Sequence, residues 1–224
     1  MTSVNGKMGV IFDLDGVLVD TGWAHKQAWR DLAEKESFDM SDEFFYSTFG
    51  MQNYQIIPML AGRDIAGEEI DRLSEWKENR YREIISDKLA LLPGVSKLLN
   101  DLKDSGFLLA IGSSAPKANL ELVLEHLNLQ NHFDTCVTDK DVEKGKPAPD
   151  TFLKAAEKLA LSPGQCVVVE DAVQGIEAGK AAMMKVVAVT TTRDRADLKA
   201  ADIVVDSLDE LKAEDFVKLL NNQN

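Results

Sequence analysis

Short runs of consecutive apolar residues recur along the chain. Runs of four to six residues that do not alternate with polar residues are typical of strands buried on both faces of a sheet. They predict strands at Met8–Asp13, Phe107–Gly112, Gln165–Glu170, Lys185–Thr190 and Asp202–Val205.

Between these runs, apolar residues recur every three or four positions, which is the spacing of one face of an α-helix. The clearest stretches contain Val95, Leu98, Leu99 and Leu102, then Leu120, Val123, Leu124 and Leu127, and then Phe152, Leu153, Ala156 and Leu159. Strands that alternate with helices in this way form an open parallel sheet with helices on both faces. The predicted fold class is therefore α/β, with a doubly wound parallel sheet.

One segment interrupts the alternation. Between residues 21 and 91 the periodicity is helical, as at Ile70, Leu73, Lys77, Tyr81 and Ile84, and no strand is predicted. We therefore expect a core made of residues 1–20 and 92–224, with a small α-helical cap domain of residues 21–91 inserted after the first strand. Because two linkers join the cap to the core, the cap can open and close over it.

Composition and charge exclude several classes of protein. The chain has 224 residues and a net charge of −13, a sign that repels nucleic acids and anionic membranes. It contains neither a signal-peptide pattern nor a run of about 20 apolar residues, so we expect a cytoplasmic protein. Cys136 and Cys166 lie far apart with no nearby His or Cys, which argues against a disulfide framework or a zinc site.

Polar residues follow the predicted strands, and in a doubly wound sheet ligands bind at the carboxyl ends of strands. These residues are Asp13 and Asp15, Ser113 and Ser114, and Glu170 and Asp171, with Lys146 just before a helix. Each group alone has an ordinary alternative: Asp in a turn, Ser as a helix cap, Lys on the surface. The adjacent Glu170 and Asp171 are harder to dismiss, because unpaired carboxylates at the end of a buried strand are costly without a cation.

Taken together, these residues predict a reaction centre with a nucleophilic carboxylate, a second carboxylate for proton transfer, and a hydroxyl and an ammonium for phosphate oxygens. Several carboxylates brought to one sheet edge would repel one another. A hard divalent cation with oxygen ligands relieves that repulsion, so the implied metal is Mg²⁺.

The motifs also resemble those of a known family. Asp13-Leu14-Asp15-Gly16-Val17, Ser113, Lys146-Pro147-Ala148-Pro149-Asp150 and Glu170-Asp171, in this order, resemble the haloacid dehalogenase superfamily of phosphotransferases with a helical cap after the first strand. The resemblance implies that Asp13 attacks phosphorus to form an aspartyl phosphate and that Asp15 protonates the leaving oxygen and then activates water. It also implies that Ser113 and Lys146 hold phosphoryl oxygens, and that Asp13, Asp15 (through its main-chain oxygen), Glu170 and Asp171 surround Mg²⁺.

Within that superfamily the chain resembles the β-phosphoglucomutase-like branch, through Asp20-Thr21, His25, Ala28-Trp29 and the Lys146 segment. The residues expected to contact substrate are Gly16, Thr21, His25, Asn53, Lys77 and Ser114. Asn53 aligns with an arginine that grips the far phosphate of the mutase substrate, and an amide cannot replace that guanidinium. We therefore expect a phosphatase acting on a small phosphorylated metabolite such as a sugar phosphate, with a mutase as the alternative.

Three questions stay open at the level of sequence. His25 either orients Asp15 when the cap closes or packs among its helical neighbours. A non-catalytic phospho-signalling or binding module is a further alternative, although a receiver domain has no helical lid. The oligomeric state is not determined, with a monomer slightly favoured, and the expected partner is a small-molecule substrate.

Overall fold

The structure is a computed structural model that describes residues 6–86 and 88–221. Within these residues, six strands form one sheet in which all neighbouring strands are parallel, in the order β3-β2-β1-β4-β5-β6. The strands are Gly9–Phe12 (β1), Leu108–Gly112 (β2), Thr135–Val137 (β3), Cys166–Glu170 (β4), Lys185–Val189 (β5) and Ile203–Val205 (β6). The predicted α/β fold class is confirmed. Sequence reasoning missed only β3 among these strands.

The helices cover both faces of the sheet and fill the segment between β1 and β2. They are Gly22–Glu36 (α1), Asp42–Thr48 (α2), Asn53–Ala61 (α3), Gly67–Ile85 (α4), Val95–Asp104 (α5), Lys117–His126 (α6), Asp150–Lys158 (α7), Val173–Ala181 (α8) and Ala213–Asn221 (α9). Single turns of 3₁₀-helix lie at Asp139–Asp141, Pro163–Gln165 and Leu208–Glu210. Among the described helices, none combines the length and apolar character needed to cross a membrane.

Two apolar cores lie on opposite faces of the sheet. Val10 and Phe12 of β1 pack on one face with α5, α6 and α9, whereas Ile11 packs on the other with α7 and α8. Successive side chains of a strand point to opposite faces, so an uninterrupted apolar run serves both cores. In the stripe predicted for α7, Phe152, Ala156 and Leu159 are buried, but the prediction was wrong at Leu153, which is 38% exposed, because Ala155 takes its place on the buried face.

Helices α1 to α4 form the insertion, and they pack around their own apolar cluster. The cluster includes Trp29, Ile57 and Leu73, and Ala172 of the core touches it. The two connecting segments run side by side, because Val19 forms an antiparallel bridge with Leu91. We keep the division into a core of residues 1–20 and 92–224 and a cap of residues 21–91 as a proposal; its extreme ends, residues 1–5 and 222–224, lie outside the described residues.

Candidate active site

The strand order reverses between β1 and β4, and the predicted chemistry gathers at the carboxyl ends of these two strands. Asp13 directly follows β1, and its amide donates to the carbonyl of Val169 in β4 at 2.9 Å. Glu170 is the last residue of β4. Open α/β sheets bind ligands at such a switch point, which places these two carboxylates in the crevice.

A buried ammonium joins the two strands. Lys146, which is fully buried, donates to Asp13 Oδ1 at 2.7 Å and to Glu170 Oε1 at 2.6 Å. Burial raises the pKa of Asp13 to about 7, although Lys146 acts in the opposite direction. Burial alone would lower the pKa of Lys146, but the charges of Asp13 and Glu170 outweigh that effect and raise it. Lys146 therefore stays cationic and holds the two carboxylates together.

The turn after β4 orients the remaining acids. Glu170 Oε2 accepts from the amides of Asp171 at 2.9 Å and Ala172 at 3.1 Å, so both its carboxylate oxygens are engaged. The Thr192 hydroxyl donates to Asp171 Oδ2, whereas Asp171 Oδ1 is buried and has no hydrogen-bond partner among the described residues. Burial, together with the charges of Glu170 and Asp13, raises the pKa of Asp171 well above its usual value.

This arrangement fits a divalent cation. Asp13, Glu170 and Asp171 each offer a carboxylate oxygen, and these oxygens lie within 4.8 Å of one another. Three buried carboxylates face one buried ammonium, which leaves an excess of negative charge, and Asp171 Oδ1 is an unpartnered acceptor. Oxygen-only donors of this kind suit Mg²⁺.

Two glycines make this packing possible. Gly16 has φ +83°, and a Cβ there would lie 2.0 Å from Asp171 Oδ2. A Cβ on Gly175 of α8 would lie 1.8 Å from Glu170 Oε1. Gly16 was predicted to contact substrate, and the structure puts it against Asp171.

Asp15 is held by donors from the inserted segment of residues 21–91. Its Oδ1 accepts from the hydroxyls of Thr21 and Tyr81, the latter at 3.2 Å, and lies 3.3 Å from His25 Nε2. Burial alone would raise the pKa of Asp15, but His25, Thr21 and Lys77 outweigh it and lower the pKa to about 2. Thr21, Tyr81 and His25 all meet the same oxygen, Oδ1.

His25 has a defined hydrogen-bonding role. Its Nδ1 lies 2.9 Å from Lys77 Nζ, and its ring stacks on Tyr81 with 3.8 Å between centroids. A lysine ammonium can only donate, so Nδ1 accepts from Lys77, and Nε2 is the ring nitrogen that faces Asp15. The structure thus places His25 against Asp15, which is the position it needs if it orients that carboxylate.

A cavity lies between this cluster and the insertion. Its polar lining combines Asp13, Asp15, Ser113 and Ser114 from the core with His25, Asn53, Lys77 and Glu78 from the insertion. Ser113 Oγ accepts from the amide of Ala115 at 3.0 Å, and Ser114 Oγ is buried without a partner in the part of the chain that is described. Lys117, which follows these serines, is exposed and pairs with Glu121 instead.

The structure brings every predicted site residue to this region. Five of them lie beside the cavity rather than in its lining: Gly16, Thr21, Lys146, Glu170 and Asp171. Sequence reasoning missed four participants: Tyr81, Thr192, Glu78 and Asn119. In the sequence, Tyr81 was assigned only to the apolar stripe of α4. Its hydroxyl, a polar group in that stripe, was the one sign that it could hydrogen-bond to the site.

Comparison with known proteins gives a consistent picture. Residues 10–189 match the family model described as haloacid dehalogenase-like hydrolase. The chain is 33% identical to the fructose-1-phosphate phosphatase YqaB of Escherichia coli over 181 residues, which cover 80% of this chain and 94% of that protein. It is 34% identical to the β-phosphoglucomutase of Bacillus subtilis over 213 residues, which cover 92% of each.

The fold comparison agrees. The crystal structure of β-phosphoglucomutase from Clostridium difficile matches with a TM-score of 0.86 and 33% identity, over 96% of this chain and 98% of that one. A longer plant relative, the chloroplastic 5-amino-6-(5-phospho-D-ribitylamino)uracil phosphatase of Arabidopsis thaliana, is 31% identical, and this chain spans 58% of its length.

Proposed function

The chain belongs to the haloacid dehalogenase-like hydrolase family, and from that premise we propose that it is a Mg²⁺-dependent phosphatase of a small phosphorylated metabolite, with sugar phosphates as the expected class. The observation that carries the proposal is the buried cluster of Asp13, Lys146, Glu170 and Asp171 beneath a cavity that Asp15 and Ser113 also line. The similarity to a phosphatase named for fructose 1-phosphate supports the substrate class.

Asp13 is the proposed nucleophile. Its carboxylate attacks phosphorus, the bond to the leaving oxygen breaks, and Asp15 in its protonated form gives that oxygen a proton. Asp15, now a carboxylate, takes a proton from water as the water attacks the aspartyl phosphate, which releases phosphate and restores Asp13. The donors on Asp15 Oδ1 favour the carboxylate form that this second step needs, and the first step requires that Asp15 take up a proton against their effect.

The remaining residues bind charge. Lys146 and Ser113 are proposed to hold phosphoryl oxygens, where positioning and charge stabilisation supply most of the rate acceleration. Asp13, Glu170 and Asp171, with the main-chain oxygen of Asp15, are proposed to surround Mg²⁺. When bound, the ion supplies positive charge that lowers the repulsion between the carboxylates and the phosphoryl group.

A phosphosugar mutase is the second candidate, favoured by the similarity to the mutase of Bacillus subtilis along most of both chains. A mutase must hold a substrate that carries two phosphates and must keep water from the aspartyl phosphate. Asn53, where the resemblance expects an arginine, donates to Glu78 at 2.8 Å and offers no charge to a second phosphate. This favours hydrolysis.

The test is phosphate release with Mg²⁺ from a panel of hexose, pentose and triose phosphates, with conversion of β-glucose 1-phosphate to glucose 6-phosphate measured in parallel. Asp13→Asn serves as the inactive control. We expect release that depends on Asp13. Isomerisation without net release would favour the mutase, and no Asp13-dependent turnover of either kind would refute both enzymatic proposals.

A further inference from the structure

Glu78 is a buried carboxylate to which the proposed reaction gives no role. It lies on α4 and is only 3% exposed. Its Oε1 accepts from Lys77 at 2.7 Å and from Asn53 at 2.8 Å, and its Oε2 accepts from Asn119 of α6 at 2.6 Å. Three donors from three helices therefore fix this carboxylate where the insertion meets the core.

Glu78 also cancels the cation that the insertion contributes to the cavity. Lys77 is buried, and its ammonium is engaged by Glu78 and by His25. Burial alone would raise the pKa of Glu78, but Lys77, His25 and Asn53 outweigh it and lower the pKa, so the carboxylate is ionised. Lys77 and Glu78 together thus bring no net charge to the wall that faces Asp13.

A second, outer cavity lies beyond that wall. Asn53 and Glu78 line both cavities and are hydrogen-bonded to each other at 2.8 Å, so this pair forms the wall that the two cavities share. Even without Glu78, whose charge Lys77 balances, acidic side chains outnumber basic ones in the lining of the outer cavity: Asp71, Glu75 and Asp139 against Arg82 and Lys140. The outer cavity therefore disfavours an anion.

A second phosphate on the substrate would carry a charge of about −2 at pH 7, so the charges on the shared wall decide whether it can approach.

We infer that Glu78 is a specificity-determining residue that excludes a second phosphate and selects monophosphates whose far end is uncharged. This inference rests on the proposed phosphatase function. Like charges brought together in a site shielded from water repel strongly, so the carboxylate acts against a bisphosphate without acting against a monophosphate.

The experiment compares kcat/KM for phosphate release from fructose 1-phosphate and fructose 1,6-bisphosphate, and from glucose 1-phosphate and glucose 1,6-bisphosphate, with Mg²⁺. The variants are Glu78→Gln, which removes the charge, and Asn53→Lys, which keeps Glu78 and sets a cation beside it. Glu68→Gln, an exposed acid on the same helix, is the control for the change in net charge. The ratio of the two substrates is informative because general damage to the fold lowers both rates together.

We expect wild type and Glu68→Gln to prefer the monophosphate by at least about tenfold, a difference of about 1.4 kcal/mol. Glu78→Gln and Asn53→Lys should each reduce that preference about fivefold or more, and Asn53→Lys decides the matter if Glu78→Gln does not fold. Wild type that accepts both substrates equally, or folded variants with an unchanged preference, would overturn the inference. Absence of Asp13-dependent release from every ester would instead refute the phosphatase function.

Discussion

Lys146 supplies the positive charge that compensates the buried carboxylates of Asp13 and Glu170 beneath the cavity. Its ammonium is the partner of both Asp13 and Glu170, and all three side chains are buried. In Lys146→Met, two buried carboxylates lose their compensating cation, and removing one partner of a buried pair costs about 3–5 kcal/mol. We expect the free energy of unfolding, measured by urea titration without metal, to fall by that amount. The exposed Lys117→Met should leave it within about 0.5 kcal/mol, and an equally stable Lys146→Met would contradict the assignment.

Tyr81 is a positioning residue for Asp15. Tyr81→Phe removes the hydroxyl that donates to Asp15 Oδ1 but keeps the ring that stacks on His25. A hydrogen bond to a charged group contributes about 1.5–3 kcal/mol, so we expect kcat to fall about tenfold or more. KM should stay unchanged because Tyr81 does not line the cavity. Tyr46→Phe, at an exposed tyrosine, is the matched control. Unchanged kcat in Tyr81→Phe, or equal losses in both variants, would refute the role.

At the scale of elements, the turn after β1 depends on Gly16. Gly16→Ala would place a Cβ against the Asp171 carboxylate in a backbone conformation with φ +83°. Gly62→Ala is the matched control, since Gly62 has φ +64° and open space around it. Both variants should lose about 1–2 kcal/mol of stability from the left-handed backbone. Only Gly16→Ala should also displace Asp171 and lower kcat/KM for phosphate release by at least about tenfold. Equal activity in the two variants would contradict this.

The elements that sequence predicts well are those whose physics is local. Strands buried on both faces read as continuous apolar runs, so β1, β2 and β4 follow from the sequence. The edge strands β3 and β6 each have three residues, but β6 is the wholly apolar run IVV, whereas β3 is TCV and begins with a polar residue, so only β6 stood out. The prediction at Leu153 was wrong because apolar residues at helical spacing do not by themselves show which face of the helix packs on the sheet.

Some residues of the candidate site were also predictable from local sequence, and others were not. Asp13, Glu170 and Asp171 were predictable because parallel strands deliver whatever follows them to one edge of the sheet. Glu78 and Asn119 are separated by 41 positions and meet only because α4 packs beside α6. Their roles depend on tertiary packing between distant elements, and no local pattern carries that information.

At the scale of the whole molecule, cation binding should couple to folding. Folding collects the carboxylates of Asp13, Glu170 and Asp171, which the unfolded chain keeps apart. Mg²⁺ at about 100 times its dissociation constant should therefore add about 2.7 kcal/mol to the free energy of unfolding. Thermal and urea unfolding with Mg²⁺ or with a chelator measure this. Asp171→Asn should lose most of the gain and the exposed Asp39→Asn should keep it; an equal gain in both would place the cation elsewhere.

The central claim is that phosphoryl transfer proceeds in two steps through Asp13, and the stereochemistry at phosphorus tests it most directly. The measurement is the hydrolysis of an isotopically labelled thiophosphate ester that is chiral at phosphorus, in water enriched in a heavy oxygen isotope. Each in-line displacement inverts the configuration, so an aspartyl phosphate followed by attack of water predicts net retention. Net inversion would mean that water attacks the ester directly, and would contradict Asp13 as the nucleophile.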